Sequence, residues 1–131
     1  MMSLYGRYIR EREDGHMLEE NDYFVIYLFQ KEGIYVRDIY VIPEKRNTGL
    51  IKKAHNKIVE ITKANDLRYI YGSVNIDTAG PEISMQLMFS LGFRVFKLDE
   101  RLSMIYLVKD LKEEEWVLIL QKLVDILVKL I

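Results

Sequence analysis

The 131-residue chain contains no cysteine. A disulfide scaffold, a thiol nucleophile and a thiolate zinc site are therefore excluded, and the composition suits a reducing compartment such as the cytoplasm. Histidine is nearly as scarce. His16 and His55 are far apart in the chain, so no metal-ligand spacing is present and no metal is expected. His55 falls in a lysine-rich helical stretch and reads as a solvated side chain. Charge of one sign is missing too. Nineteen Lys+Arg stand against 20 Asp+Glu, a formal net charge of -1, which offers no global grip on nucleic acid and no basic stripe for it. The 2 prolines and 7 glycines are scattered, leaving no Pro/Ser-rich linker and no repeat. No apolar run reaches the roughly 20 residues needed to span a bilayer. The nearest candidate, 116–131, carries Lys122, Asp125 and Lys129, and residues 1–7 lack the apolar core of a signal peptide.

What is present is a folding pattern. Half of the residues are hydrophobic and 30% are charged, the balance of one folded domain rather than a disordered chain. Residues 4–13 put Leu4, Tyr5, Tyr8 and Ile9 on one helical face, with Gly15 as the expected stop; a strand is the competing reading there. Residues 17–19 predict a short strand. Residues 23–30, rich in aromatic and β-branched side chains, predict a longer one. A turn over 31–33 leads to another strand over 34–42, ended by Pro43. These segments form an antiparallel meander.

The period then changes. Ile51, Ala54, Ile58 and Ile61 recur at helical spacing, with Lys52, Lys53, Lys57, Glu60 and Lys63 on the wet side. Asn65-Asp66 closes this helix, and 67–76 reads as a strand. Strand, helix and strand at this connection length form a βαβ crossover, so 34–42 and 67–76 are expected to run parallel. A loop over 78–81 opens a short helix at 82–91, closed by Gly92. A hairpin of 93–98 and 102–109 follows. Residues 113–131 predict a last helix with two apolar stripes: Trp116, Ile119, Leu120, Leu123, Leu127 and Leu130, then Val117, Val124, Val128 and Ile131. Together they cover roughly 200° of the circumference, wider than one core-facing stripe. One face is expected to dock on the sheet and the rest to meet another partner. The fold class is thus α/β (α+β): a mixed sheet around a central βαβ unit. Residues 1–111 form the body, and 112–131 a packing or oligomerisation element.

The stretch most suggestive of chemistry runs from Tyr35 to Ile51. It is a strand, a proline stop, a charged turn, Gly49 and a helix start. Backbone N–H groups at a helix N-terminus lack intrahelical partners and favour an anion, and glycine permits close approach of the backbone. By itself the pattern is more often an ordinary turn than an anion site. The letters Y-V-R-D-I-Y-V-x-P-x-x-R-x-x-G, however, resemble the acyl-CoA-binding motif of the GNAT superfamily of N-acetyltransferases. Leu91-Gly92-Phe93 resembles the L-G-F that closes the next helix in that family, and the element order is similar from about residue 17 to 109. Small phage-encoded members look similar in Glu11-Arg12, in the aromatic strand 23–30 and in Gly72-Ser73-Val74-Asn75.

The resemblance implies a GNAT-type sheet whose parallel strands diverge, with acetyl-CoA as cosubstrate. Backbone groups of Ile39, Tyr40 and Val41 would hold the pantetheine arm. Arg46 and the amides of Asn47, Thr48, Gly49, Leu50 and Ile51 would hold the pyrophosphate. Asp38 would be the base for the incoming amine; a hydrogen-bonded sheet carboxylate is the plainer reading. Four positions depart from the family pattern: Ile51 stands where Gly or Ala is usual, Arg37 where a glutamate base occurs, Pro81 where asparagine opens the helix, and Met88 where tyrosine protonates the leaving thiolate. The N-terminal portion looks short, which would leave the acceptor site open to a protein or peptide amine. The implied activity is N-acetyl transfer in the cytoplasm, or in a host cytoplasm or virion for a phage-encoded member. The alternative is an inactive scaffold of the same fold whose helix 113–131 joins copies or binds a protein partner. No role on nucleic acid or in a membrane is expected.

Overall fold

The structure is a computed structural model, described over residues 2–77 and 80–131. Helix α1 (Leu4–Arg12) precedes strands β1 (His16–Glu19), β2 (Tyr23–Gln30) and β3 (Gly33–Val41). A 3-10 turn, Pro43–Lys45, leads into α2 (Leu50–Ala64) and then β4 (Tyr69–Asn75). Helix α3 (Pro81–Ser90), strands β5 (Arg94–Asp99) and β6 (Met104–Asp110), and helix α4 (Leu111–Leu130) complete the chain. The six strands form one sheet in the order β1-β2-β3-β4-β6-β5. β1, β2 and β3 form the antiparallel meander, while β3 and β4 are parallel neighbours joined by α2. This is the expected mixed sheet around a βαβ unit.

Two cores lie on opposite faces of the sheet. The larger joins Val25, Ile34, Ile70, Val74 and Leu107 of the sheet to Ala54 and Ile58 of α2. α3 adds Met85 and Met88 at its margin. The smaller packs Ile9 of α1 with Ile26 of β2, both essentially inaccessible to water. Consecutive residues Val25 and Ile26 thus serve different faces, as the two-residue period of a strand requires.

Local stops differ in part from expectation. α1 ends at Arg12, and the left-handed residue after it is Asp14 (φ 52°), not Gly15. Gly15 is needed for space: a Cβ there would sit 2.8 Å from Ile9 Cγ2. Gly33 belongs to β3 rather than to the turn, and its Cβ would meet the Tyr71 ring at 2.6 Å. Pro81 does open α3, and Gly92 takes the left-handed position after it (φ 93°). Of the loop expected over 78–81, residues 78 and 79 lie outside the described residues.

The largest departure is α4. Neither stripe docks on the sheet: from Glu115 to Ile131 every side chain is exposed, and Leu111 alone is buried. The sheet face available to it ends where β6 ends, because Asp110 turns directly into the helix as its N-cap. No helix of the described residues is long and apolar enough to cross a membrane.

Candidate functional site

The parallel ladder between β3 and β4 is short. It pairs Gly33 with Tyr69, Ile34 with Ile70 and Tyr35 with Tyr71, and then stops. Beyond that point β3 continues to Val41 against β2, and β4 continues to Asn75 against β6. The strands therefore part like a fork, leaving the inner backbone edge of each without a ladder partner. Just past the last pair, the Tyr35 hydroxyl and Ser73 Oγ share a hydrogen bond of 2.7 Å across the gap.

The fork opens a cleft of about 400 Å³ between α2 and α3. Arg37, Asp38 and Ile39 line one side, Ser73 and Asn75 the other, and Met88 reaches in from α3. A second hollow of about 420 Å³ adjoins it, lined by Ile39 to Val41, Arg46, Asn47 and Gly49 to Lys52. Ile39, Ile51 and Leu87 border both. The structure thus gathers nine of the ten sequence-selected residues around two joined hollows. Thr48 is in the same loop and donates its hydroxyl to the Lys45 carbonyl.

The loop is shaped by backbone that few side chains accept. Asn47 (φ 64°) and Gly49 (φ 86°) are both left-handed. Gly49 is the N-cap of α2, and no side chain caps this helix. The first-turn amides of α2 consequently face the second hollow without intrahelical partners. A Cβ at Gly49 would meet nothing within 4 Å, so the space in front of the helix is open. Arg46 folds back, its Nε donating to the Val41 carbonyl at 3.0 Å and its guanidinium standing 5.7 Å from the Tyr40 ring centre. This places a fixed cation at the end of β3. Lys52 also borders the hollow, whereas Lys57 is taken by an ion pair with Glu20.

Asp38 has a well-exposed side chain and lies 3.5 Å from Arg37 Nε. Arg37 also binds Glu13, tying the chain after α1 to β3. Met88 rests on Gly72, where a Cβ would stand 2.4 Å from its terminal methyl. Tyr71 lines the cleft, and burial, reinforced by Tyr69 and Glu32, raises its phenol above the usual range. Tyr106 instead sits under Lys97 Nζ, 5.7 Å from its ring centre.

His55 is buried, contrary to the solvated reading. It shares the inward face of α2 with Ile51, Ile58 and Thr62, at spacings of four and three, and the flanking lysines conceal this in the sequence. Lys109 Nζ donates to His55 Nε2 at 2.9 Å and to the Leu91 carbonyl at 2.7 Å. Burial and then the Lys109 charge push the His55 imidazole down to about 4. Burial likewise lowers Lys109, with Glu114 of α4, 3.4 Å away, pulling the other way. The neutral ring thus forms part of the cleft floor. Lys109 was invisible as a site neighbour because it occupies a core-facing strand position; Tyr35 and Ser73 could be linked only by knowing the register. Among the described residues, no group of three or more His, Cys, Asp or Glu side chains could hold a metal ion.

The forked sheet with a helix-start loop has the fold of several solved acetyltransferases. An acetyltransferase from Bacillus subtilis in complex with CoA superposes with a TM-score of 0.64, covering 79% of this chain and 82% of its own at 16% identity. An IAA acetyltransferase from Bacillus cereus gives 0.63, with 75% and 79% covered at 16% identity. A Bacteroides thetaiotaomicron protein assigned to the GNAT family gives 0.62, with 84% and 70% covered at 20% identity. At these identities the likeness defines the fold. Family sequence models and curated proteins give no match to the chain.

Proposed function

We propose that this protein is an acetyl-CoA-dependent N-acetyltransferase that transfers the acetyl group directly to an amine. The observation that carries this reading is the fork: a parallel pair closed over three residues, then open beside an uncapped helix N-terminus. The inner edge of β3 at Ile39, Tyr40 and Val41 offers backbone groups to an extended amide-containing arm, as a sheet edge does to an added strand. The amides of Asn47 to Ile51, with Arg46 and Lys52 beside them, suit a diphosphate. The 79% and 82% mutual coverage with the CoA-bound Bacillus subtilis protein supports the same ligand.

In this reading the acceptor nitrogen attacks the thioester carbonyl, the carbon–sulfur bond breaks, and the sulfur leaves as the thiol once protonated. Asp38, exposed at the cleft, would take the amine proton before attack. Met88 has no proton to give, so Tyr71 or solvent would supply the one on sulfur. Held geometry alone contributes several kcal/mol of barrier reduction, and a positioned acid or base typically adds about 10²- to 10⁴-fold. A slow transferase is therefore the expected phenotype, with a protein or peptide amine as the acceptor class. The test is calorimetric titration with acetyl-CoA and CoA together with a thermal-shift measurement. Heat of binding and a raised Tm are expected; silence in both at millimolar ligand would remove the proposal.

A second reading has its own support. Arg37 and Met88 replace residues that the resemblance would make catalytic, Pro81 replaces the asparagine that opens the helix, and α4 is exposed from Glu115 onward. These features suit a GNAT-type body that binds or assembles without turnover. Ligand binding with no thiol release in the presence of amines would favour it.

A further inference from the structure

We infer that α4 is a self-association helix that pairs antiparallel with α4 of a second copy of this chain. The helix is held firmly at its start. Asp110 caps it, accepting from the amides of Lys112 and Glu113, and is clamped by two bonds of 2.9 Å from Arg68. Arg94 pairs with Glu113 at 3.1 Å and Lys109 with Glu114 at 3.4 Å. From Glu115 onward every residue of the helix is exposed among the described residues. Trp116 is 63% exposed, Leu123 50% and Leu127 58%. A 20-residue helix is only marginally stable alone in water, and its stability normally comes from packing an apolar face.

The sequence of α4 specifies the partner. Trp116, Leu120, Leu123, Leu127 and Leu130 are spaced four, three, four and three, the seam of a coiled coil. Ile119 and Ile126 flank the seam on one side, and Val117 and Val124 on the other. The seam is self-complementary. A two-fold axis between Leu120 and Leu123 sets Leu120 opposite Leu123 of the second copy and Trp116 opposite Leu127.

Charge sets the direction. The first turns hold Glu113, Glu114 and Glu115, whereas Lys122 and Lys129 lie in the second half. Antiparallel pairing places the acidic end of one helix beside the Lys129 end of the other. A parallel pair would stack three glutamates on three glutamates. Opposed helix dipoles add to the preference. A lipid surface fits less well: three lysines against four acids leave the helix without the cationic polar face that anionic headgroups attract. Because the apolar arc is wider than one seam, two such pairs closing into a four-helix bundle also satisfy the pattern.

Sedimentation of the full chain from about 1 to 100 μM is expected to give a dimer or tetramer, and Leu120→Glu with Leu127→Glu to give single chains whose sheet signal is retained. The natural absence of cysteine permits a direct test of orientation. Under mild oxidation, a mixture of Val117→Cys and Val124→Cys chains should give the mixed disulfide, while Leu130→Cys chains should not link to one another. Single chains at every concentration would overturn the inference, with or without binding to phosphatidylglycerol vesicles. Association untouched by the two glutamates, or efficient linking through Leu130→Cys, would overturn it equally.

Discussion

The Tyr35 hydroxyl and Ser73 Oγ lie 2.7 Å apart at the crotch of the fork, where Tyr35 closes the last pair of β3 and β4 and Ser73 stands two residues beyond it on β4. A side-chain strut thus begins where the backbone ladder ends. Tyr35→Phe and Ser73→Ala should each cost about 1 kcal/mol, the usual net worth of such a bond. In the double variant the costs should fall short of their sum, because both changes delete one interaction. Urea denaturation of the four proteins measures this; strict additivity would show that the strut is idle.

At Gly49 the demand is conformational. Its φ is 86° and the space around an added Cβ is empty, so Gly49→Ala should destabilise by about 1–2 kcal/mol through the backbone alone. Gly49→Asn should cost less, since asparagine tolerates the left-handed region. Thermal denaturation ranks the two. If the larger asparagine is the worse variant, crowding is the correct explanation.

Ile51 borders both hollows. Its side chain also packs half-buried against the larger core. Ile51→Ala should lower stability by about 2 kcal/mol and, under the proposed function, tighten CoA several-fold by joining the hollows more widely. Calorimetry reads the second effect. Unchanged or weaker binding would mean that the isoleucine does not crowd the ligand.

His55 makes the protein acid-sensitive. Its imidazole titrates near 4 when folded, against an ordinary value of 6.5. Between those limits the unfolded chain binds the extra proton, so stability is constant above pH 6.5 and falls as pH drops toward 4. The loss accumulates to roughly 3 kcal/mol. His55→Gln should flatten this part of the profile. Stability curves at pH 7, 5.5 and 4.5 for both proteins provide the check, and parallel curves would refute the assignment.

Asp110 behaves oppositely. Arg68 beside it, aided by the two capping amides, holds its carboxyl below the ordinary value. Its stabilisation is present above that ordinary value, near pH 4, and is lost as pH falls through the depressed one. Asp110→Ala removes both cap and clamp, and should cost at least about 1 kcal/mol at pH 7 with a drop in helical ellipticity. Unaltered ellipticity would mean that α4 persists without its anchor.

Much of this architecture was readable from residue order. Runs such as Tyr23 to Gln30 leave little choice but a strand, and the spacing of Ile51, Ala54, Ile58 and Ile61 marks the inner side of α2. The fork was expected only through the family resemblance. β2 pairs with β3 from Gly33 to Val41, skipping only Arg37 at a bulge, so the run still reads as one strand and nothing in its residues announces the missing neighbour on the other side. His55 was misplaced because the period, which puts it beside Ile51 and Ile58, was outweighed by its lysine neighbours. α4 failed for another reason: amphipathic spacing tells which side of a helix seeks cover, never whether the same molecule supplies it. Gly15 shows a third limit, since a glycine required for clearance looks identical in sequence to one required for a turn.

Asp110 stands opposite Tyr69, where β4 begins, whereas β3 and β4 separate toward their far ends. The tail therefore departs from the pole of the sheet remote from the loop 43–49. Tethering or tagging beyond Asp110 would leave the two hollows at the other pole unobstructed.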